Sequence, residues 1–181
     1  MNVNMHVAGH SAKMKRLLVL IACMAGLVTA NEGGRQACQQ SDVALQSYHI
    51  HVLFPPSNAL ATNAAMDLQR QFMTAFDLTS AGNCTMSAGD PAPNATMCAF
   101  EVDWEPAGPF LTAQYSFFVP VTQYEAAVSW IVRHRGKLDV LVHPNSGCEV
   151  EDHTAWALWA GRPWELDTSV FSCESPGCIP P

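Results

Sequence analysis

Cationic side chains are scarce in this chain: nine Lys+Arg stand against sixteen Asp+Glu among 181 residues. An acidic protein gains no counterion release from a nucleic acid and is repelled by anionic lipid, so neither is expected as a partner. Long apolar runs are lacking as well. The stretch from Leu17 to Leu27 has about eleven residues, whereas a membrane-spanning helix needs roughly 20. No C-x-x-C pair occurs, and the cysteines are scattered, which argues against a cysteine-built metal site. No internal repeat is present, and low complexity is confined to one loop.

The apolar run that is present has a particular setting. Lys13, Lys15 and Arg16 precede it, and the small residues of Val28-Thr29-Ala30 follow it. A basic stretch, a short apolar run and a small-residue site in this order predict a secretory signal peptide over residues 1–30, and hence a secreted product free of the membrane once the leader is removed. About 150 residues remain, enough for one domain with a real core. They carry six Lys+Arg and sixteen Asp+Glu, a net charge of −10. Cys23 leaves with the leader. Cys38, Cys84, Cys98, Cys148, Cys173 and Cys178 stay, and an even count in an exported chain predicts three disulfides. Fifteen pairings are open, with Cys84–Cys98 across a single loop favoured. Two glycosylation sequons begin at Asn83 and Asn94 in that same loop.

Residues 31–46 are polar and read as an extension. Residues 47–54 alternate and predict a strand, with Tyr48, Ile50, Val52 and Phe54 on one side and His49, His51 and Leu53 on the other. Pro55-Pro56 ends it. Ser57 or Asn58 can cap a helix to about Leu78, with Leu60, Ala64, Leu68, Phe72, Ala75 and Phe76 as its stripe. Residues 79–97 are rich in turn formers and predict an exposed loop. Strands are expected over 98–104 and 112–119, a helix over 120–133, a strand over 138–143 and a last helix over 149–160. The residues from 169 to 181 form a cysteine-containing tail.

The order βαββαβ plus a helix predicts an α+β, ferredoxin-like sandwich with an additional C-terminal helix. Its sheet order is 4-1-3-2, with two helices on one face. The other face is left open for a ligand or a second copy of the chain, so a homodimer is among the expectations. His49 and His51, at i and i+2, share that open face. His143 ends strand 4, which runs antiparallel to strand 1, so it should lie beside His49. Three imidazoles on one sheet face suit zinc or non-haem iron.

Tyr48-His49-Ile50-His51-Val52, Leu141 to Gly147 (LVHPNSG), Glu151-Asp152-His153-Thr154 and Ala157-Leu158-Trp159-Ala160-Gly161 resemble the DOPA 4,5-dioxygenase family. Val119-Pro120, Trp130 and Arg135-Gly136 fall at matching places. The resemblance covers residues 47–168, with 79–97 as an insertion. It implies a ferredoxin-like enzyme that uses Fe(II) and O2 to open a DOPA-like catechol outside its two hydroxyls; zinc is an alternative occupant of the purified protein. It places metal binding on His49, His51 and His143, acid–base work on His153, and a substrate carboxylate on Arg135. Asp152 either orients an imidazole or favours a helix dipole, and His134 reads as surface. The family's Gly-Pro-His appears here as Gly108-Pro109-Phe110, and an acidic or amide residue usual in strand 3 appears as Ser116. A secreted, non-catalytic relative that keeps the fold and a metal or ligand is therefore the alternative function. A zinc hydrolase would need a dedicated carboxylate base, which the spacing does not supply.

Overall fold

The structure, a computed structural model, describes residues 45–84 and 95–171. The expected signal peptide, residues 31–44, Cys38, Asn94, Cys173 and Cys178 lie outside the described residues. The described part runs β1 (Ser47–Leu53), α1 (Ala59–Ala75), β2 (Cys98–Ala99), β3 (Gln114–Pro120), α2 (Tyr124–His134), β4 (Asp139–Pro144), α3 (Glu149–His153) and β5 (Leu158–Ala160). Single 3-10 turns cover Val121–Gln123 and Thr168–Val170. The five strands form one antiparallel sheet in the order β2-β3-β1-β4-β5. The expected α+β class and the 4-1-3-2 order are therefore present, extended by one strand.

The period of two in β1 sends its even positions to the helical side. Ile50, Val52 and Phe54 are fully buried there with Tyr115, Phe117, Val119, Val140 and Val142. Phe72 of α1 stacks on Phe117, with ring centroids 3.9 Å apart. The Tyr115 hydroxyl donates to the Ala65 carbonyl at 2.8 Å, so its polar end is satisfied inside the core. Each such large side chain contributes roughly 2–3 kcal/mol by leaving water. Asn58 caps α1, its Oδ1 accepting from the N–H of Leu60 and of Ala61.

Several expected details are corrected. The buried face of α1 is Ala65, Leu68, Gln69 and Phe72, whereas Leu60 is 83% exposed and Ala64 and Ala75 are also exposed. Repeated steps of four residues overshoot each turn by about 40°, so a stripe drawn from Phe72 back to Leu60 walks off the core. The second strand is cut short after Ala99. Ala99 pairs with Phe117, and pairing resumes as a bridge between Asp103 and Gln114. That interval has one residue more on the Asp103 side, which is a β-bulge. The helix expected over 149–160 stops at His153. Thr154 leaves the helical region, and Leu158–Ala160 instead pairs with the free edge of β4. The sheet face expected to be open is covered near its histidines by the chain after β5, because Phe110 bridges Leu166 and the Asp167 N–H donates to the Pro109 carbonyl.

The favoured Cys84–Cys98 disulfide is formed and anchors β2. Cys148 is also disulfide-bonded. Asn83 is exposed beside the first bridge.

Candidate metal centre

Strand register assembles the cluster. His49 stands directly across from His143, and His51 lies two residues along on the same face. One ligand atom from each of His49, His51 and His143 can be chosen so that all lie within 4.8 Å of one another. All three are buried, at 3%, 6% and 1% exposure. His153 joins them from the end of α3, its ring 3.9 Å from that of His143 between centroids. Phe100 and Phe118 flank His49. Phe110 lies over His51 at 4.4 Å and meets His153 at 6.0 Å, and Phe171 packs against His153 at 4.8 Å. The phenylalanine that stands where the resemblance places a histidine is thus part of the site's wall.

The hydrogen bonds fix the tautomers. His143 Nδ1 faces the Pro144 carbonyl at 2.8 Å, and His153 Nδ1 faces the Glu149 carbonyl at 2.8 Å. A carbonyl only accepts, so both Nδ1 atoms carry the proton. His51 Nδ1 lies 2.8 Å from Gln114 Oε1, and Gln114 Nε2 donates to the Asp103 carboxylate at 2.6 Å. The carboxylate fixes the amide's orientation, so His51 also donates from Nδ1. The Nε2 atoms of His51 and His143 are then both lone pairs, and they face each other 3.1 Å apart.

Two lone pairs cannot bond to each other. A proton shared between them would make a buried imidazolium, which the surroundings oppose. Burial, then the neighbouring imidazoles, hold His49, His51 and His143 well below the usual histidine value. Burial lowers His153 to about 4. A metal cation relieves the conflict without a proton. Two nitrogens about 2.1 Å from one ion lie about 3 Å apart at a right angle. The residues fit a metal ion: three neutral nitrogen donors, with the tautomers of His51 and His143 fixed by partners behind them.

The other expected residues are placed elsewhere. Arg135 caps the C-terminus of α2, and its Nη1 donates to the Leu138 carbonyl at 2.7 Å, next to the start of β4. His143 is four residues further along β4, about 13 Å away at 3.3 Å per residue. The Asp152 carboxylate accepts from the Ser146 N–H and hydroxyl, so it holds the turn after β4 and does not orient an imidazole. His134 stacks on Trp130 on the helical side. Gln114, Asp103, Phe100 and Phe118 carry no motif that marks them, whereas Phe110 stands out in the sequence as the departure from Gly-Pro-His. A signal for Gln114 existed: Ala113, Tyr115, Phe117 and Val119 take the apolar side of β3, which leaves Gln114, Ser116 and Phe118 facing the histidines.

The profile of the Dopa 4,5-dioxygenase family matches residues 48–170. The DOPA 4,5-dioxygenase of Amanita muscaria is 25% identical over 134 residues, which is 74% of this chain and 53% of that one. An uncharacterized 21.2 kDa protein of Botryotinia fuckeliana is 39% identical over 75 residues, 36% of this chain and 40% of that one. The chain therefore spans about half the length of the curated relatives it matches, or less. A crystal structure from Nostoc punctiforme, described as that of a provisionally assigned dioxygenase, superposes with a TM-score of 0.54 and 24% identity, covering 70% of this chain and 90% of the other. At that identity the likeness concerns the fold.

Proposed function

The chain belongs to the DOPA 4,5-dioxygenase family, and from that premise we propose that it opens a catechol ring beside one of its hydroxyls, with Fe(II) held by His49, His51 and His143 and with O2 as co-substrate. The observation that carries the reading is the pair of facing Nε2 lone pairs on His51 and His143, each with its Nδ1 proton committed behind it. When bound, the iron supplies open positions for both catechol and O2 and passes charge between them. The overall reaction is balanced without an outside reductant. One ring C–C bond breaks, and each of its carbons takes one oxygen atom of O2, as an acid on the hydroxylated side and an aldehyde on the other.

The protein's own groups prepare this. His51 is held by Gln114 and His143 by the Pro144 carbonyl, so both present Nε2 without rearrangement. Phe100, Phe110 and Phe118 exclude water from the imidazoles. His153, lowered to about 4, is uncharged at neutral pH. Its Nδ1–H is tied to the Glu149 carbonyl, which leaves Nε2 as the atom that takes and returns a catechol proton.

We also propose that the chain is exported. The basic, apolar and small-residue pattern of residues 1–30 supports this, as do the Cys84–Cys98 bridge and the bonded Cys148, since disulfides persist in oxidising compartments.

Metal analysis tests the centre. The wild type should hold one divalent ion per chain, and the His51→Ala, His143→Ala double variant none; equal metal in both would remove the centre. Reaction is tested by mixing the protein anaerobically with ferrous iron, ascorbate and a catechol, then admitting air. Oxygen uptake with a yellow muconic semialdehyde-type product is expected. Metal bound at one per chain with no uptake from any simple catechol would assign the site to ligand binding, the role that Phe110 in place of a histidine favours.

A further inference from the structure

A cavity of about 280 Å3 lies against His153, lined otherwise by Thr154, Trp159, Trp164, Leu166 and Thr168. The His153 ring lies 3.9 Å from that of His143, so the cavity borders the metal cluster. Among the described residues, no Lys, Arg, Asp or Glu side chain is in its lining. Trp159, Trp164 and Leu166 pack on the buried group Leu53, Phe110 and Leu141, and Phe110 covers His51. The apolar wall is therefore continuous from the cavity to a metal ligand. Trp164 is held in place, its indole N–H donating to Asp139 Oδ2 at 2.8 Å.

The cations near this wall are turned to other groups, Arg162 lying 3.6 Å from Asp139 Oδ2. Arg135 Nη1 donates to the Leu138 carbonyl, and its Nε, without a hydrogen bond, is buried. Glu149 Oε2 lies 3.7 Å from His153 Nδ1 and makes no hydrogen bond, so the acidic group beside His153 repels an anion. Ligand pockets start at roughly 300 Å3, so this one suits a single ring with a compact substituent. A carboxylate substituent would lose water there and find no cation in the described lining.

Resting on the ring-cleavage reading above, we infer that the cavity beside His153 seats the alkyl substituent of a catechol, and that the preferred substrate lacks the carboxylate of DOPA. Trp159, Trp164 and Leu166 set this preference by contact area. Each buried methylene should tighten binding about fourfold.

Calorimetry on zinc-loaded protein, zinc being redox-inert, tests binding with 4-tert-butylcatechol, 4-methylcatechol, L-DOPA, dopamine and 3,4-dihydroxybenzoate. Oxygen uptake by the iron-loaded protein is measured on the same five. The tert-butyl compound should bind at least tenfold more tightly than L-DOPA or 3,4-dihydroxybenzoate, with the methyl compound between. Thr168→Lys should shift the ratio toward 3,4-dihydroxybenzoate. A carboxylate-bearing catechol that binds as tightly or better, while oxygen is consumed, would overturn the substrate class and leave ring cleavage standing. Tighter neutral binding with no oxygen uptake would do the reverse. No binding by any of the five would overturn the cavity assignment.

Discussion

Between the Asp103 carboxylate and the His51 imidazole, the Gln114 amide has one orientation that satisfies both neighbours. Gln114→Leu leaves the His51 Nδ1–H without an acceptor and frees the ring to change tautomer. A titration against a competing chelator should show metal affinity falling tenfold to a hundredfold, with Gln114→Glu restoring it; unchanged affinity in Gln114→Leu would remove the positioning role. The histidines also set a pH dependence. Their folded-state values lie below the unfolded value of about 6.5, so between the two the unfolded chain binds more protons. Stability of the metal-free protein should therefore fall as pH drops from about 7 toward 4. For His153 alone, lowered to about 4, the loss is about 3 kcal/mol. Asp152, raised to about 6 chiefly by burial, opposes this over pH 4–6, and Glu149, also raised chiefly by burial, acts in the same direction, but they are two groups against four. Urea unfolding at pH 7 and pH 5 measures the difference, and a more stable protein at pH 5 would contradict it.

At the scale of elements, β5 and the turn that ends it decide how the site is closed. Gly161 has φ +105°, where other residues are strained, and a Cβ there would collide with the Asp139 carboxylate. That carboxylate also accepts from the Arg162 N–H and the Trp164 indole. Gly161→Ala should lower stability by about 2–3 kcal/mol and weaken ligand binding in the cavity, because Trp164 loses its anchor. Thermal melts and calorimetry measure the two effects, and an unchanged melting temperature would show that the turn adapts. The sequence indicated this region only in part. Leu158-Trp159-Ala160 has too few residues for a period to appear, and its pairing with β4 depends on an edge that exists only once the sheet has formed.

For the whole molecule, the Cys84–Cys98 bond closes a loop of about 15 residues onto β2, whose neighbour β3 carries Phe118 against His49. Such a loop constrains the unfolded chain by about 3 kcal/mol. The Cys84→Ser, Cys98→Ser variant should lose about that much in denaturant unfolding. It should still bind metal, since His49, His51 and His143 are set by β1 and β4; loss of metal with the fold retained would mean that β2 shapes the centre.

The alternation of residues 47–54, and a histidine at the end of an antiparallel strand, were enough to place His49, His51 and His143 together, because strand parity and register are properties of local pattern and element order. The same local signals indicated the helical face of the sheet, narrowed the helix cap to Ser57 or Asn58 and favoured the Cys84–Cys98 pairing; the structure takes Asn58 and forms that bridge. What only the tertiary structure decided was what lies behind and around those imidazoles. Gln114 reaches His51 from 63 residues away, and Trp164 reaches Asp139 from 25 away. Phe110 becomes a wall of the site because the chain after β5 folds back over it. Hydrogen bonds and ring contacts between distant segments leave no period in the sequence. They arise when burial brings those segments together, and here they fix the tautomers and the polarity of the site.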